Sequence, residues 1–119
     1  MSAPRGRAGE EFAAQWLAQR GVMVVARNVR TAAGELDLVC RDGGAVVFVE
    51  VKWRDGVVLA SPLAAVDARK RARLVRAGAC WCADHGHDGA VRFDVVGITG
   101  PLDGRARVEH IRNAFGAGD

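Results

Sequence analysis

The sequence predicts one α/β domain in which helices flank a central mixed β-sheet, in the order αβββαββ. Three observations predict this fold class. Two segments repeat apolar residues at helical spacing, and several short Val-rich runs bounded by glycine or proline are typical of strands. The 119 residues contain no internal repeat and no linker, so they suffice for a single domain. We therefore assign residues 1–119 to one domain and expect residues 1–6 and 116–119 to be flexible.

The first half of the chain is predicted to form a helix followed by three strands. The helix covers about residues 7–20, where one apolar stripe repeats, and Gly21 ends it. Residues 28–33 are either a polar connection or an extension of the first strand. The three strands are expected at residues 22–26, 36–40 and 45–53.

The second half of the chain is predicted to form a helix and two strands. Ser61 is expected to cap the helix, with Pro62 at its first position, and the helix then covers about residues 63–83. Residues 91–98 alternate between apolar and polar side chains, as a half-buried strand does. A short final strand at residues 107–111 is expected at an edge of the sheet.

Composition and charge restrict the class of protein. No apolar run is long enough to span a bilayer and no signal peptide is recognisable, so we expect a cytoplasmic protein without a membrane partner. Three cysteines, an odd number, argue against a disulfide framework. The net charge of +3 permits a nucleic-acid partner without requiring one.

Three acids and one lysine lie inside two otherwise apolar, Val-rich runs. Glu35 and Asp37 belong to the run at residues 34–39, and Glu50 and Lys52 belong to the run at residues 47–52. Charges rarely occupy such strands without a partner or a metal ion. Because side chains alternate along a strand, Glu50 and Lys52 share one face.

The turn between these two strands decides whether Asp37 and Glu50 meet. If Asp42 and Gly43 are the two turn residues, Asp37 lies diagonal to Glu50. If Gly43 and Gly44 are the turn residues, Asp37 faces Glu50 directly. Both registers put the acids on one face, whereas a three-residue loop would put them on opposite faces.

Paired carboxylates of this kind suit a metal-dependent cleavage of phosphodiesters. They repel each other unless a cation lies between them, and Mg²⁺ or Mn²⁺ prefers such oxygen ligands. The ion would polarise a phosphate and lower the pKa of a water. Lys52 would orient or deprotonate that water, or neutralise charge on phosphorus. The alternative is a partly exposed hairpin with a Glu–Lys pair and a surface aspartate, and the apolar residues 47–51 argue against it.

Motifs along nearly the whole chain resemble the YraN family of small bacterial proteins. They are Gly9-Glu10, Arg27-Asn28, Gly34-Glu35-Leu36-Asp37-Leu38-Val39, Val47-Phe48-Val49-Glu50-Val51-Lys52, Lys70, Arg92-Phe93-Asp94-Val95 and Ile111-Arg112-Asn113-Ala114-Phe115. That family is similar to archaeal Holliday junction resolvases and has the restriction-endonuclease-like, PD-(D/E)xK fold. Trp53 departs from the pattern, since a small polar residue is more usual there.

The resemblance implies site residues beyond those that the strands suggest. It implies a metal site built from Asp37 and Glu50, with Lys52 as the catalytic lysine. It also implies that Glu10, on the first helix, reaches the same cluster as a further catalytic acid and metal ligand. Glu35 is either an outer ligand that completes the site in place of Glu10 or the partner of a nearby arginine.

Several cations and one aromatic residue are candidates for contact with nucleic acid. Lys70, Arg54 and Arg73 would lie along a phosphate backbone, although a run such as residues 69–73 is most often the solvated face of a helix. Trp53 would stack on a base. Arg92 and Asp94 share a strand face and are expected to form a structural ion pair.

Two functions are consistent with these residues. The first is an endonuclease dependent on Mg²⁺ or Mn²⁺ that hydrolyses phosphodiester bonds in DNA, branched or otherwise structured DNA being the substrate that the resemblance suggests. The second is a nucleic-acid-binding module on the same fold that acts through protein partners without cleavage. A homodimer would allow two such sites to cut two strands.

Overall fold

The computed structural model describes residues 4–54, 56 and 61–117 of the chain. A 3₁₀ turn, Pro62–Ala65, precedes the second helix. The other elements, in chain order, are α1 (Pro4–Ala18), β1 (Met23–Thr31), β2 (Gly34–Asp42), β3 (Ala45–Arg54), α2 (Ala68–Asp84), β4 (Val91–Thr99) and β5 (Arg107–Phe115). The predicted α/β class and the order αβββαββ are confirmed.

The five strands form one mixed sheet in the order β1-β2-β3-β4-β5. Neighbouring strands are antiparallel except for β3 and β4, which are parallel. A parallel pair requires a long crossover connection, and α2 lies within the one between β3 and β4. The last strand is at an edge of the sheet, as the sequence predicts.

The sheet is covered on both faces, and each face has its own core. On one face α2 packs Leu74 and Trp81 against Phe48 and Phe93 of the central strands. On the other face α1 contributes Ala13, Ala14 and Leu17, which pack with Leu38, Val49 and Val96 of the sheet. No helix in the described part of the chain is long and apolar enough to cross a membrane.

The hairpin between β2 and β3 has the second of the two predicted registers. Asp42 pairs with Ala45, so Gly43 and Gly44 are the two turn residues. Gly43 takes a φ of 62°, which glycine adopts at little cost in a tight hairpin turn. The paired residues extend to Leu38 opposite Val49, and one further step along this register places Asp37 across from Glu50.

The start of the second helix differs from the prediction. Ser61 makes no capping hydrogen bond with its side chain, and Pro62 begins the 3₁₀ turn instead of α2. Val66 then takes an extended conformation, and the Asp67 carboxylate caps α2 by accepting a hydrogen bond from the Lys70 amide at 2.9 Å. Pro62 is held in the 3₁₀ turn because it packs directly over Gly97 of the sheet. A Cβ added at Gly97 would lie 2.1 Å from the proline Cγ.

Other boundaries shift by a few residues. The first strand continues to Thr31, so the alternative of a strand extension is correct. The last strand is longer than predicted and ends at Phe115. Among the ends expected to be flexible, residues 1–3 and 118–119 lie outside the described residues, and residues 4–6 belong to α1, so that expectation stays a prediction.

A buried aspartate joins the last two strands. Asp94 is fully buried and accepts hydrogen bonds from Arg92 Nε and from the Asn113 amide, both at 2.9 Å. His110 Nε2 lies 2.7 Å from its other oxygen. The predicted ion pair between Arg92 and Asp94 is therefore confirmed and belongs to a larger network. Burial alone would raise the pKa of Asp94, but the bonds from His110, Arg92 and Asn113 outweigh it and lower that pKa.

We predict that Asp94→Asn lowers the free energy of unfolding by about 3 kcal/mol at neutral pH, because it removes one partner of a buried ion pair. Since the pKa of Asp94 is lowered from 3.8 by folding, its stabilisation is present above that pH and is lost as the pH falls through the folded value. Urea unfolding of both proteins should therefore show a difference that shrinks below about pH 4. A difference independent of pH would contradict this role of Asp94.

Candidate active site

The centre of the site is Glu50, a buried acid on β3. Only 5% of it is exposed, and it lies on the same strand face as Phe48 and Lys52, towards α2. Lys70 Nζ of α2 lies 2.8 Å from Glu50 Oε2, and Lys52 Nζ lies 3.5 Å from the same oxygen. The chain contains only these two lysines, and both reach Glu50.

Asp37 enters the site where β2 separates from β3. Its Oδ2 accepts a hydrogen bond of 2.9 Å from the Val51 amide, so the carboxylate lies beside the backbone of β3, next to Glu50. Leu36 and Val39 both pack in the core under α2, although residues three apart on a regular strand point to opposite faces. The alternation of side chains is therefore broken around Asp37.

The neighbouring strand β1 is irregular at the same level. Arg27 pairs with Leu38 and Val29 with Leu36, so Asn28 stands opposite Asp37. Asn28 takes a φ of 51°, a left-handed conformation that asparagine tolerates better than most residues. This conformation is not predicted above from the sequence, although the Arg27-Asn28 motif could have indicated it.

The third acid, Glu10, comes from α1. Gly9 packs against Trp53 of β3, where an added Cβ would lie 3.2 Å from the Trp53 Cβ, and this close approach brings α1 onto the sheet. Glu10 Oε1 is buried and has no hydrogen-bond partner among the described residues. The adjacent Glu11 instead pairs with Arg27 at the surface. The structure thus turns Glu10, and not Glu11, inward.

Burial and the neighbouring carboxylates raise the pKa of Asp37 and of Glu10. Burial is the largest cause that raises the pKa of Asp37 to about 8, and the charges of Glu50 and Glu10 raise it further, although the bond from the Val51 amide opposes this. Burial also raises the pKa of Glu10, against the lowering effect of the Asp37 and Asn28 side chains. Such mutual repulsion is relieved by a cation placed among the carboxylates.

The donors present fit a divalent cation that prefers oxygen. Carboxylates of Asp37, Glu50 and Glu10 would hold Mg²⁺ or Mn²⁺, and the unpartnered Glu10 Oε1 is an available ligand atom. Among the described residues, no three acidic, histidine or cysteine side chains are already gathered into a ready-made metal site. Mg²⁺ commonly takes one or two carboxylates and completes its octahedron with waters and substrate phosphates, so an incomplete protein shell suits it.

The other predicted site residues are dispersed. Lys70 forms its ion pair with Glu50 instead of lying on a purely solvated helix face. Arg73 packs its stem over the turn at Gly34, where an added Cβ would lie 3.2 Å from Arg73 Cδ. Arg54 is exposed at the end of β3, and Glu35 is exposed on β2. Of these four predicted residues, Lys70 is therefore the one that the structure brings into an ion pair with Glu50.

The expectation that Trp53 stacks on a base is not supported. Trp53 packs with the core under α1, on the face opposite to Glu50 and Lys52. Its Nε1 donates a hydrogen bond of 2.8 Å to the Gly100 carbonyl, which holds the indole in place.

The sequence is similar to a family of proteins without an assigned function. A family model described as "Uncharacterised protein family UPF0102" matches residues 9–98. A UPF0102 protein of Frankia alni is 50% identical over 111 residues, which cover 92% of each chain. A UPF0102 protein of Anaeromyxobacter dehalogenans is 49% identical over 111 residues, covering 92% of this chain and 82% of the relative. One from Symbiobacterium thermophilum is 46% identical over 118 residues, covering 98% of this chain and all of the relative.

We predict that Asp37 makes the metal-free protein less stable as the pH rises. Its pKa is about 8 in the folded protein and 3.8 ordinarily, so the stability it confers in the protonated form is lost between these values. Asp37→Asn mimics the protonated acid and should be more stable than the wild type at pH 8, by a margin that shrinks as the pH falls towards 4. Urea unfolding with a chelator present measures this difference. If Asp37→Asn is less stable than the wild type at pH 8, the burial and crowding of the acids are contradicted.

Proposed function

This chain belongs to the YraN family, UPF0102, and we propose that it is a nuclease with the restriction-endonuclease-like fold that hydrolyses phosphodiester bonds in DNA with Mg²⁺ or Mn²⁺. One observation carries the proposal. Asp37 of β2 lies between the charges of Glu10 of α1 and Glu50 of β3, and the chain's two lysines reach Glu50. A surface hairpin would have no reason to bury Glu50, since burying a charge is costly.

The acids and Lys52 have different roles in the proposed hydrolysis. Asp37, Glu50 and Glu10 would hold the cation, which supplies Lewis-acid polarisation of the phosphate and a more acidic water. About a quarter of the Lys52 side chain is exposed, and its longer contact of 3.5 Å with Glu50 leaves its ammonium able to reach a phosphate at the site. It orients or deprotonates the attacking water, or neutralises the charge that develops on phosphorus.

Lys70 acts through Glu50. Its ion pair of 2.8 Å is shorter than that of Lys52, and it comes from α2, which packs Leu74, Ala77 and Trp81 into the core. It therefore fixes the orientation of the Glu50 carboxylate, so that Lys52 remains available to the substrate. This makes Lys70 a positioning residue instead of the backbone contact that its place in a basic run predicts.

A second candidate is a nucleic-acid-binding module that does not cleave and acts through protein partners. The observation that favours it is the compensation of Glu50 by two ammonium groups, which allows the buried acid to persist without a metal ion. A cytoplasmic location and a homodimer remain predictions under either function.

A cleavage assay on duplex, single-stranded, flapped and branched DNA with Mg²⁺ or Mn²⁺ tests the proposal. Asp37→Asn and Lys52→Ala should each reduce cleavage by at least about 100-fold, because each removes a group that acts at the reacting phosphate. Asp84→Asn, which neutralises an exposed acid at the end of α2, is the matched control and should leave the rate unchanged. Cleavage that survives Asp37→Asn and Lys52→Ala would refute the assignment, and binding without any cleavage would favour the second candidate.

Two further pairs of variants assign the supporting residues. Lys70→Ala should reduce cleavage and weaken Mn²⁺ binding, and Lys70→Arg should restore part of both, since a cation returns to Glu50.

Glu10→Gln should impair cleavage more than Glu35→Gln, because Glu10 is turned inward and Glu35 is exposed. The opposite order would assign the third acid to Glu35.

A further inference from the structure

Three polar residues form a row across the end of the sheet, beyond the acidic site. Arg54 of β3 pairs with Thr99 of β4, and Thr99 pairs with Arg107 of β5. Paired residues on neighbouring strands share a face, and Arg54 shares its face with Glu50 and Lys52. The row therefore lies on the same side of the sheet as the site, and both arginines are exposed.

A groove runs from Lys52 to this row. Its floor is the sheet around Gly97, and one wall is the 3₁₀ turn that packs over Gly97 through Pro62. The groove has a volume of about 910 Å³. We call it the arginine groove, after Arg54 and Arg107 at its far end.

We propose that the arginine groove binds an unpaired DNA strand that continues from the phosphate at the acidic site, a proposal that rests on the proposed function. The size of the groove supports a single strand. Pockets of about 300–1,000 Å³ enclose ligands of the size of a drug molecule, so the groove has room for a short stretch of nucleotides. The row from Arg54 to Arg107 spans two strand spacings, roughly 9.6 Å, so its cations lie on the path of one phosphate backbone.

The spacing of the cations supports a path along β3. Glu50, Lys52 and Arg54 follow one another at every second residue, which corresponds to steps of about 6.6 Å along the strand. Thr99 and Arg107 then follow at steps of about 4.8 Å across the sheet. A strand bound to the metal site would thus meet Lys52 first, then Arg54, and then the hydroxyl and guanidinium of the row.

The chemistry of the lining indicates contact with phosphates and not with bases. Lys52, Arg54 and Arg107 supply three positive charges, whereas Glu109 is the acid among the described lining residues. These lining residues include no aromatic ring on which a base could stack. Binding is therefore independent of base sequence and sensitive to salt.

Glu109 provides a variant that should strengthen binding. It stands opposite Gly97 on β5, is exposed, and faces into the groove beside the two arginines. Its carboxylate repels a phosphate in the groove, so Glu109→Gln should increase affinity for an unpaired strand.

Fluorescence anisotropy in the presence of a chelator tests the proposal without requiring cleavage. The probes are a labelled 12-residue oligothymidine, a 20-base-pair blunt duplex, and the same duplex with a 12-residue overhang. Arg54→Ala/Arg107→Ala should weaken binding of the oligothymidine and of the overhang duplex at least tenfold, with little effect on the blunt duplex. The salt slope should fall by about 1.4, which is about 0.7 for each phosphate that is no longer neutralised. Arg41→Ala/Arg76→Ala removes two exposed arginines outside the groove and is the matched control.

A reduction of affinity confined to the probes with an unpaired strand, with a gain for Glu109→Gln, would support the proposal. An equal reduction on the blunt duplex, an equal reduction in the control pair, or no reduction would overturn it. The assay measures binding alone, so it separates the two proposals. If the groove binds the unpaired strand but the protein does not cleave DNA, the nuclease is refuted and the proposed groove is supported. If the protein cleaves DNA without this binding pattern, the groove is refuted and the nuclease is supported.

Discussion

Glu50 is the residue on which both the fold and the site depend. It places a carboxylate inside the core beneath α2, where a charge without partners is strongly destabilising. Lys70 supplies the nearest compensating charge, and it does so from the helix that covers this face of the sheet. The docking of α2 and the charge balance of the site are therefore coupled, because undocking the helix would expose the core and remove Lys70, the nearer of the two partners of Glu50.

The hairpin between β2 and β3 brings the second acid into place. Its two-residue turn at Gly43 and Gly44 gives a register in which Asp37 and Glu50 lie side by side, and a single added residue would place them on opposite faces. The irregularity around Asp37 and the left-handed Asn28 opposite it then release the carboxylate from regular alternation. Strain and irregularity of this kind are concentrated at functional sites, where surrounding structure maintains them.

The sequence predicts those features that depend on residues close together along the chain. Asp37, Glu50 and Lys52 could be recognised because charges in Val-rich strands are unusual, and the alternatives for the hairpin were reduced to two registers by its glycines. The position of Lys70 could not be predicted, because it depends on how α2 docks on the sheet, and the run of arginines around it is typical of a solvated face. Arg107 was also missed, since only the pairing of three strands places it beside Arg54. The cap of α2 was misplaced because the packing of Pro62 on Gly97 is a tertiary interaction.

Titration with Mn²⁺, followed by electron paramagnetic resonance, tests most directly whether the acids share a cation. Wild-type protein should bind Mn²⁺ at the acidic cluster. Loss of an outer partner of a metal ligand typically weakens binding by about 10–100-fold, so loss of a direct ligand in Asp37→Asn should weaken it by at least about 100-fold. Asp84→Asn should bind as the wild type does. Equal Mn²⁺ affinity in the wild type and in Asp37→Asn would contradict a metal site at these carboxylates.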